Sequence, residues 1–107
     1  ELLDTGDPWR NLALAVVVQS AEDYYAALVA LRDQPTPPRE KKAKKRWERQ
    51  RRTLRECEAF FQGAWYPMLT EMSPQYLRKK LMELAEVSPE QVERWCGHGA
   101  GDRKGDL

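Results

Sequence analysis

Apolar residues recur at helical intervals along most of this chain. One series steps mostly by three or four residues, the spacing of a single helix face, through Trp9, Ala13, Val16, Val17, Tyr24, Leu28 and Leu31. Asp7 and Pro8 precede it as an N-cap and a proline at the first helical position, where the missing N–H costs nothing. We therefore predict a first helix from residue 8 to about residue 32.

Residues 12–18 of this helix are apolar on all sides. A helix without a polar face must be buried on several sides, so we expect it at the centre of a bundle or at a subunit interface, and we expect an oligomer. The three consecutive valines leave an alternative, because β-branched residues favour strands. In that alternative, residues 12–18 form a short buried strand and Ser20 caps a helix that starts at Ala21.

The prolines in residues 34–38 end the first helix. We predict a second helix capped by Thr36, with a stripe of apolar side chains at about 100° per residue, namely Ala43, Trp47, Leu54, Cys57 and Phe61. Gly63 is predicted to end or bend it. Residues 64–72 are then predicted to form a short helical turn that fills the core with Trp65, Tyr66, Met68 and Leu69.

Two further cap signals follow. Ser73-Pro74 predicts a helix that turns Leu77, Leu81 and Leu84 inward and Arg78, Lys79 and Lys80 outward. Ser88 and Gln91 form a capping box that opens a short last helix with Val92 and Trp95. The prediction is thus an all-α bundle of three main helices plus one or two short ones, with residues 1–96 as one domain and residues 97–107 as a flexible glycine- and charge-rich tail.

Positive charge is concentrated in residues 39–52, which hold nine of the eighteen basic residues and two acidic ones. This segment carries +7 while the whole chain carries +1, so the other residues sum to −6. Such segregation points to a partner surface. The candidate partner-binding residues, called the basic face below, are Lys41, Lys44, Lys45, Arg49, Arg52 and Arg55. Tyr24 and Tyr25 cannot both face the core, and Tyr25 is the candidate for stacking on a partner.

The residue types needed for catalysis or metal binding are sparse. The single histidine, His98, lies near Cys96, and this pair supplies two ligands where structural zinc takes four. Glu22 and Asp23 are neighbours and do not face each other on a helix, and no phosphate-binding loop is present. We therefore expect no metal, no cofactor and no enzymatic activity. Cys57 and Cys96 lack metal or redox spacing and are expected to be reduced thiols in the cytoplasm, with a disulfide between them as the alternative.

Residues 60–70 carry an aromatic doublet and a Trp-aromatic pair, and a Tyr-Leu helix start follows at Tyr76-Leu77. Together with the Tyr- and Ala-Leu-rich residues 23–28, this pattern resembles small uncharacterised proteins of phages, prophages and mobile elements of Gram-positive bacteria. The lysine-rich run and Gly63-Ala64 depart from the pattern. The resemblance implies a protein that occupies or sequesters a host factor, as anti-CRISPR proteins and nucleotide-signal sponges do.

We therefore expect a non-enzymatic phage or mobile-element protein in the cytoplasm of a bacterial host. It would inhibit a host factor, for example an immune component, through the basic face and would be a homo-oligomer. Its target would be a host protein or a phosphate-bearing ligand, and no membrane partner is expected, because the longest apolar run, residues 12–18, is far shorter than the roughly 20 residues that span a bilayer. The alternative is a small DNA- or RNA-binding or regulatory protein that uses the same residues. A third interpretation is that the basic face is only a solvent-exposed helix face without a binding role.

Overall fold

The structure is a computed structural model that describes residues 8–96. In this range the chain forms five helices: α1 Pro8–Asp33, α2 Lys41–Gln62, α3 Tyr66–Leu69, α4 Pro74–Ala85 and α5 Pro89–Cys96. No strand occurs within the described range, so the all-α prediction is confirmed. The strand alternative for residues 12–18 is wrong, because this segment is helical throughout. The predicted tail lies outside the described residues.

The core forms where α1 packs against α2, α3 and α4. Helices α1 and α2 run antiparallel, since the Cys57 thiol lies 3.6 Å from the carbonyl of Ser20 and the Trp47 indole bonds the carbonyl of Gln34. Most of the buried side chains on these two helices come from the predicted stripes, namely Ala13, Val17, Tyr24, Leu28, Leu31, Leu54, Cys57 and Phe61. Ala27 and Glu58 are also buried although neither was predicted, and Trp9 and Val16 of the predicted stripe are exposed. Helix α5 closes the bundle with Val92 and Trp95, both buried as predicted.

Local side chains set the helix starts. Ser73 accepts a hydrogen bond from Tyr76 N at 3.2 Å, and Ser88 and Gln91 exchange bonds of 2.9 and 3.2 Å, so both predicted caps are confirmed. The predicted cap of α2 is wrong: Glu40, not Thr36, accepts from Ala43 N at 2.8 Å. A residue before proline is pushed out of the helical region, which holds the chain extended until it has passed the last proline.

The interior contains less of residues 64–72 than predicted. Tyr66 is buried and Leu69 is half-buried, but Trp65 and Met68 are exposed. The physical reason is length, because α3 is a single turn and one turn can direct only one side inward. Of the four side chains predicted to fill the core, only Tyr66 is fully buried. Its ring packs edge-on against Phe60 and Phe61.

Helix α4 is rotated relative to the prediction. Its buried residues are Leu81, Met82 and Ala85, a face centred one step away from the predicted leucine stripe. This rotation turns Leu84 into solvent and Arg78 inward. The predicted outward position of Arg78 is therefore wrong, whereas Lys79 and Lys80 are exposed as predicted.

The first half of α1 is less covered than predicted. Within the single chain only Ala13 and Val17 of residues 12–18 are buried, while Leu12, Val16 and Val18 are exposed. The cause is the position of the end of α2: Cys57 lies beside Ser20 and Phe60 lies beside Ala15 and Val16, so only the first turns of α1 extend beyond α2. Length and composition alone would let α1 cross a bilayer, a property that core helices and signal sequences share.

Candidate binding surface on the second helix

Helix α2 is anchored along the side that faces the bundle. Leu54, Cys57 and Phe61 are buried, and near the start of the helix the Trp47 indole donates to the Gln34 carbonyl at 2.7 Å. The Trp95 indole donates to the Pro35 carbonyl at 3.2 Å. These bonds tie the segment that connects α1 and α2 to α2 and α5. The opposite side of α2 is therefore presented on a fixed support.

All six predicted residues of the basic face are exposed on this opposite side and its flanks. At 1.5 Å per residue they extend over about 21 Å. Within the described part of the chain, no ion pair involves Lys41, Lys44, Lys45, Arg49 or Arg52. The structure thus brings the predicted residues together and leaves these five cations without a carboxylate at ion-pair distance.

Arg51 lies in the same basic run but has a different role. It is half-buried, its Nε donates to the Trp95 carbonyl at 2.6 Å, and its guanidinium lies 5.9 Å from the centre of the Trp47 ring. These contacts hold α5 against α2. Toward the C-terminal end of the basic face, Glu48 and Glu56 line a shallow hollow with the arginines, so the positive field is strongest over the first two turns.

Tyr25 is exposed while Tyr24 is buried, as expected for adjacent tyrosines on one helix. Tyr25 belongs to α1, and the basic face points away from α1 because α2 packs on α1 through its opposite side. The structure therefore does not bring Tyr25 together with the basic face. Trp47 is equally unsuited to stack on a nucleobase, since Gln34 and Arg51 hold its ring.

A buried charged cluster centred on Glu58 was missed by the sequence prediction. Arg78 donates to the Glu58 carboxylate through Nε and Nη2 at 3.1 and 3.0 Å. The Tyr24 hydroxyl also donates to it, and Gln62 Nε2 does so at 3.3 Å. These bonds join α1, α2 and α4. A signal was available, because Glu58 falls on the buried side of α2 beside Leu54 and Phe61, and a buried carboxylate needs a cationic or hydrogen-bonding partner.

The cluster shifts the titration of two of its members. Burial, and then the hydrogen bond and charge of Glu58, raise the pKa of Tyr24 far above its ordinary value. Burial alone would lower the pKa of Arg78, but the hydrogen bond and charge of Glu58 raise it on balance. Both residues therefore stay protonated in the folded chain, and the hydrogen bonds of the cluster hold the three helices together.

The thiols are poorly suited to nucleophilic chemistry. Burial raises the pKa of Cys57 and of Cys96 to about 11, which suppresses the reactive thiolate at neutral pH. Both cysteines are free in the structure, so the disulfide alternative is not formed. Within residues 8–96, no group of three or more His, Cys, Asp or Glu side chains is placed to hold a metal, and His98 lies outside the described residues.

Comparisons with protein-family models, curated proteins and solved structures found no significant match to this chain. The resemblance to phage and mobile-element proteins therefore stays a prediction. Function is inferred below from the basic face and from the surfaces that the fold leaves open.

Proposed function

We propose that this chain is a non-enzymatic binding protein that captures an acidic surface of a host-cell factor through the basic face. The supporting observation is the row of five exposed cations without ion pairs in the described part of α2. Unneutralised charge of one sign steers an oppositely charged partner and suppresses wrong ones. Inhibition would follow from occupancy of the partner's own working surface.

Two structural features favour tight capture. The bonds from Trp47 and Trp95 to the segment before α2 limit the conformational freedom that binding would otherwise cost. Arg49 and Arg52 present planar guanidinium groups that can bind carboxylates or phosphates with two parallel hydrogen bonds. The inhibitory role and the cytoplasm of a bacterial host as its location follow from the resemblance to phage and mobile-element proteins.

A second candidate function is sequence-independent binding to a nucleic-acid backbone. The favouring observation is the continuity of the cations over about 21 Å of one helix, which suits a row of phosphates. Base stacking has no support, because Trp47 is held by its neighbours and Tyr25 lies on another helix. Such binding would be governed by counterion release and would weaken steeply with salt.

The proposal retains the homo-oligomer predicted from the sequence. Its support is the apolar surface that α1 exposes in the single chain, including Leu12 and Val16. Exposed apolar patches on soluble proteins commonly mark interaction sites.

The first test is capture from a bacterial lysate with tagged protein, with and without nuclease. The proposal expects one protein partner that survives nuclease treatment and presents an acidic surface. Recovery of nucleic acid alone would instead support the second candidate. With about five phosphate contacts, its affinity should fall roughly 500-fold between 50 and 200 mM salt.

A pair of charge reversals locates the binding surface. Lys45→Glu/Arg52→Glu and Lys79→Glu/Lys80→Glu each lower the formal charge from +1 by four, to −3. All four side chains are exposed, so neither change should unfold the chain. The first variant should lose the partner and the second should keep it. Equal capture of the partner by both variants would show that the basic face is a solvent-exposed surface without a role in binding.

A further inference from the structure

The first half of α1 carries an uncharged, mostly apolar seam on its exposed side. Its positions Trp9, Leu12, Val16 and Gln19 are separated by three, four and three residues, the spacing of the contact positions in a coiled coil. Trp9, Leu12 and Val16 are 55%, 57% and 40% exposed. None of the four side chains is charged. We call these four residues the α1 seam.

Trp9, at the N-terminal end of the seam, also faces α3. Trp9 lines a groove of about 470 Å³ with Leu14, Pro67 and Met68, and Arg10, Thr70 and Glu71 add a polar part to its lining. Trp65, next to α3 in the sequence, is also exposed. The exposed parts of these side chains and the seam amount to on the order of 500 Å² per chain, the size of the largest patch on a typical monomer. A pair that covered all of this surface would bury about 1,000 Å², which reaches the lower limit for a specific interface.

The shape of the seam is self-complementary in one orientation. At its C-terminal end, Val16, Gln19 and Phe60 line a hollow of about 380 Å³ together with Ala15, Ser20 and Asp23. At its N-terminal end Trp9 presents a large exposed ring. An antiparallel pair centred near Leu14 places each Trp9 opposite the Gln19 hollow of the other copy. A parallel pair would set ring against ring and hollow against hollow.

We infer that two copies of this chain pair antiparallel through the α1 seam. Phe60, near the end of α2, borders the seam beside Val16 and Gln19, whereas Trp9 and Leu12 lie beyond the end of α2 and present exposed side chains to a second α1. The pairing would also cover the apolar side of residues 12–18, which the single chain leaves exposed.

The pairing has a consequence for binding, which rests on the proposed function. The middle of the basic face lies beside the C-terminal end of α1, as the bond from Trp47 to Gln34 shows. From a centre near Leu14 to residue 31 is about 25 Å at 1.5 Å per residue. The two basic faces would thus lie about 50 Å apart and would bind an extended or paired acidic partner bivalently, with a gain in avidity.

Sedimentation equilibrium between about 1 and 200 μM tests the pairing without any acidic partner. The wild-type mass should rise from 12.5 kDa to twice that value. Leu12→Glu should weaken dimerisation at least tenfold. Leu84→Glu makes the same change at a 68% exposed leucine on α4 and should leave it unaltered. Circular dichroism melts verify that both variants fold.

A monomer at every concentration, or equal dimerisation by Leu12→Glu and the wild type, would overturn the inference. Binding of monomeric protein to phosphatidylcholine vesicles that Leu12→Glu abolishes would assign the seam to a membrane instead and would also overturn it. Loss of partner capture with the dimer intact would contradict only the proposed function. Capture by a monomeric chain would contradict only the pairing.

Spin labels distinguish the orientation of the pair. Glu48→Cys in a Cys96→Ser background offers one exposed thiol per chain, because Cys57 is buried and its pKa is raised to about 11. The antiparallel pair predicts an electron–electron distance near 50 Å. A distance below about 35 Å would exclude the antiparallel arrangement, since it is well short of the separation expected from the helix rise.

Discussion

Replacing Arg78 with methionine should destabilise the fold far more than a surface change would. Methionine retains most of the aliphatic volume and removes the guanidinium. The change deletes the hydrogen bonds of 3.1 and 3.0 Å to Glu58. The Glu58 carboxylate, whose side chain is 11% exposed, would then accept only from Tyr24 and Gln62.

The expected cost follows from this burial. Hydrogen bonds to charged groups contribute about 1.5–3 kcal/mol, and an orphaned buried charge costs about 3–5 kcal/mol. The Arg78 side chain is 28% exposed, so water would partly replace it. We therefore expect a loss of about 2–3 kcal/mol in the free energy of unfolding. For a domain of this size the corresponding fall in Tm is roughly 10–20 °C.

Urea unfolding followed by circular dichroism measures this loss, with an unchanged m-value as the sign that the unfolded state is unaffected. Lys79→Met is the matched control, since Lys79 is the exposed neighbour on α4, and it should stay within about 0.5 kcal/mol of the wild type. A double-mutant cycle with Glu58→Gln should give a coupling energy of at least about 1 kcal/mol. If Arg78→Met costs no more than Lys79→Met, the pair is an ordinary surface bridge and the reasoning fails.

Three further predictions test other parts of the structure. Among the described residues the Tyr66 hydroxyl is buried without a hydrogen-bond partner, so Tyr66→Phe should be neutral or slightly stabilising in urea unfolding, whereas Tyr24→Phe should cost about 1–2 kcal/mol. Burial also raises the pKa of Tyr66. Above about pH 10 the unfolded chain therefore releases the Tyr66 proton while the native state retains it, which lowers the free energy of unfolding as pH rises. Tyr66→Phe should lessen this alkaline loss of stability. Cys57 and Cys96, with pKa values raised to about 11, should react with Ellman's reagent at pH 8 roughly a hundredfold more slowly than an ordinary thiol, and a rate equal to that of free cysteine would contradict their burial. Glu86 has a left-handed backbone with φ 59°, so Glu86→Gly should raise the free energy of unfolding by about 0.5–1 kcal/mol, and a loss would contradict the relief of strain.

Local signals explain what the sequence predicted well. The caps at Ser73 and Ser88 are determined within four residues, so both were readable without tertiary information. The exposure of the basic face followed from helical periodicity, because Leu54 and Phe61 define the buried side of α2. The cap of α2 was mispredicted because two consecutive prolines delay the helix beyond Thr36.

Long-range packing explains what the sequence did not predict. Arg78 pairs with Glu58 twenty residues away, and this contact depends on the rotation of α4, which its leucine pattern misstates. The exposure of Leu12 depends on where α2 ends relative to α1. Neither is encoded in any local window. An acidic residue on an otherwise apolar stripe, as at Glu58, is the one local feature that signals such a cluster.

The most direct test of the central claim is the dissociation constant of the captured partner, measured for the wild type and the two reversal variants at about 150 mM salt, an ionic strength that screens distant charges. Capture through the basic face predicts that Lys45→Glu/Arg52→Glu weakens binding at least tenfold while Lys79→Glu/Lys80→Glu stays within about twofold, since each tenfold step corresponds to about 1.4 kcal/mol. Equal weakening by both variants would show that only net charge matters. No weakening by either would contradict the claim that the basic face is the binding surface.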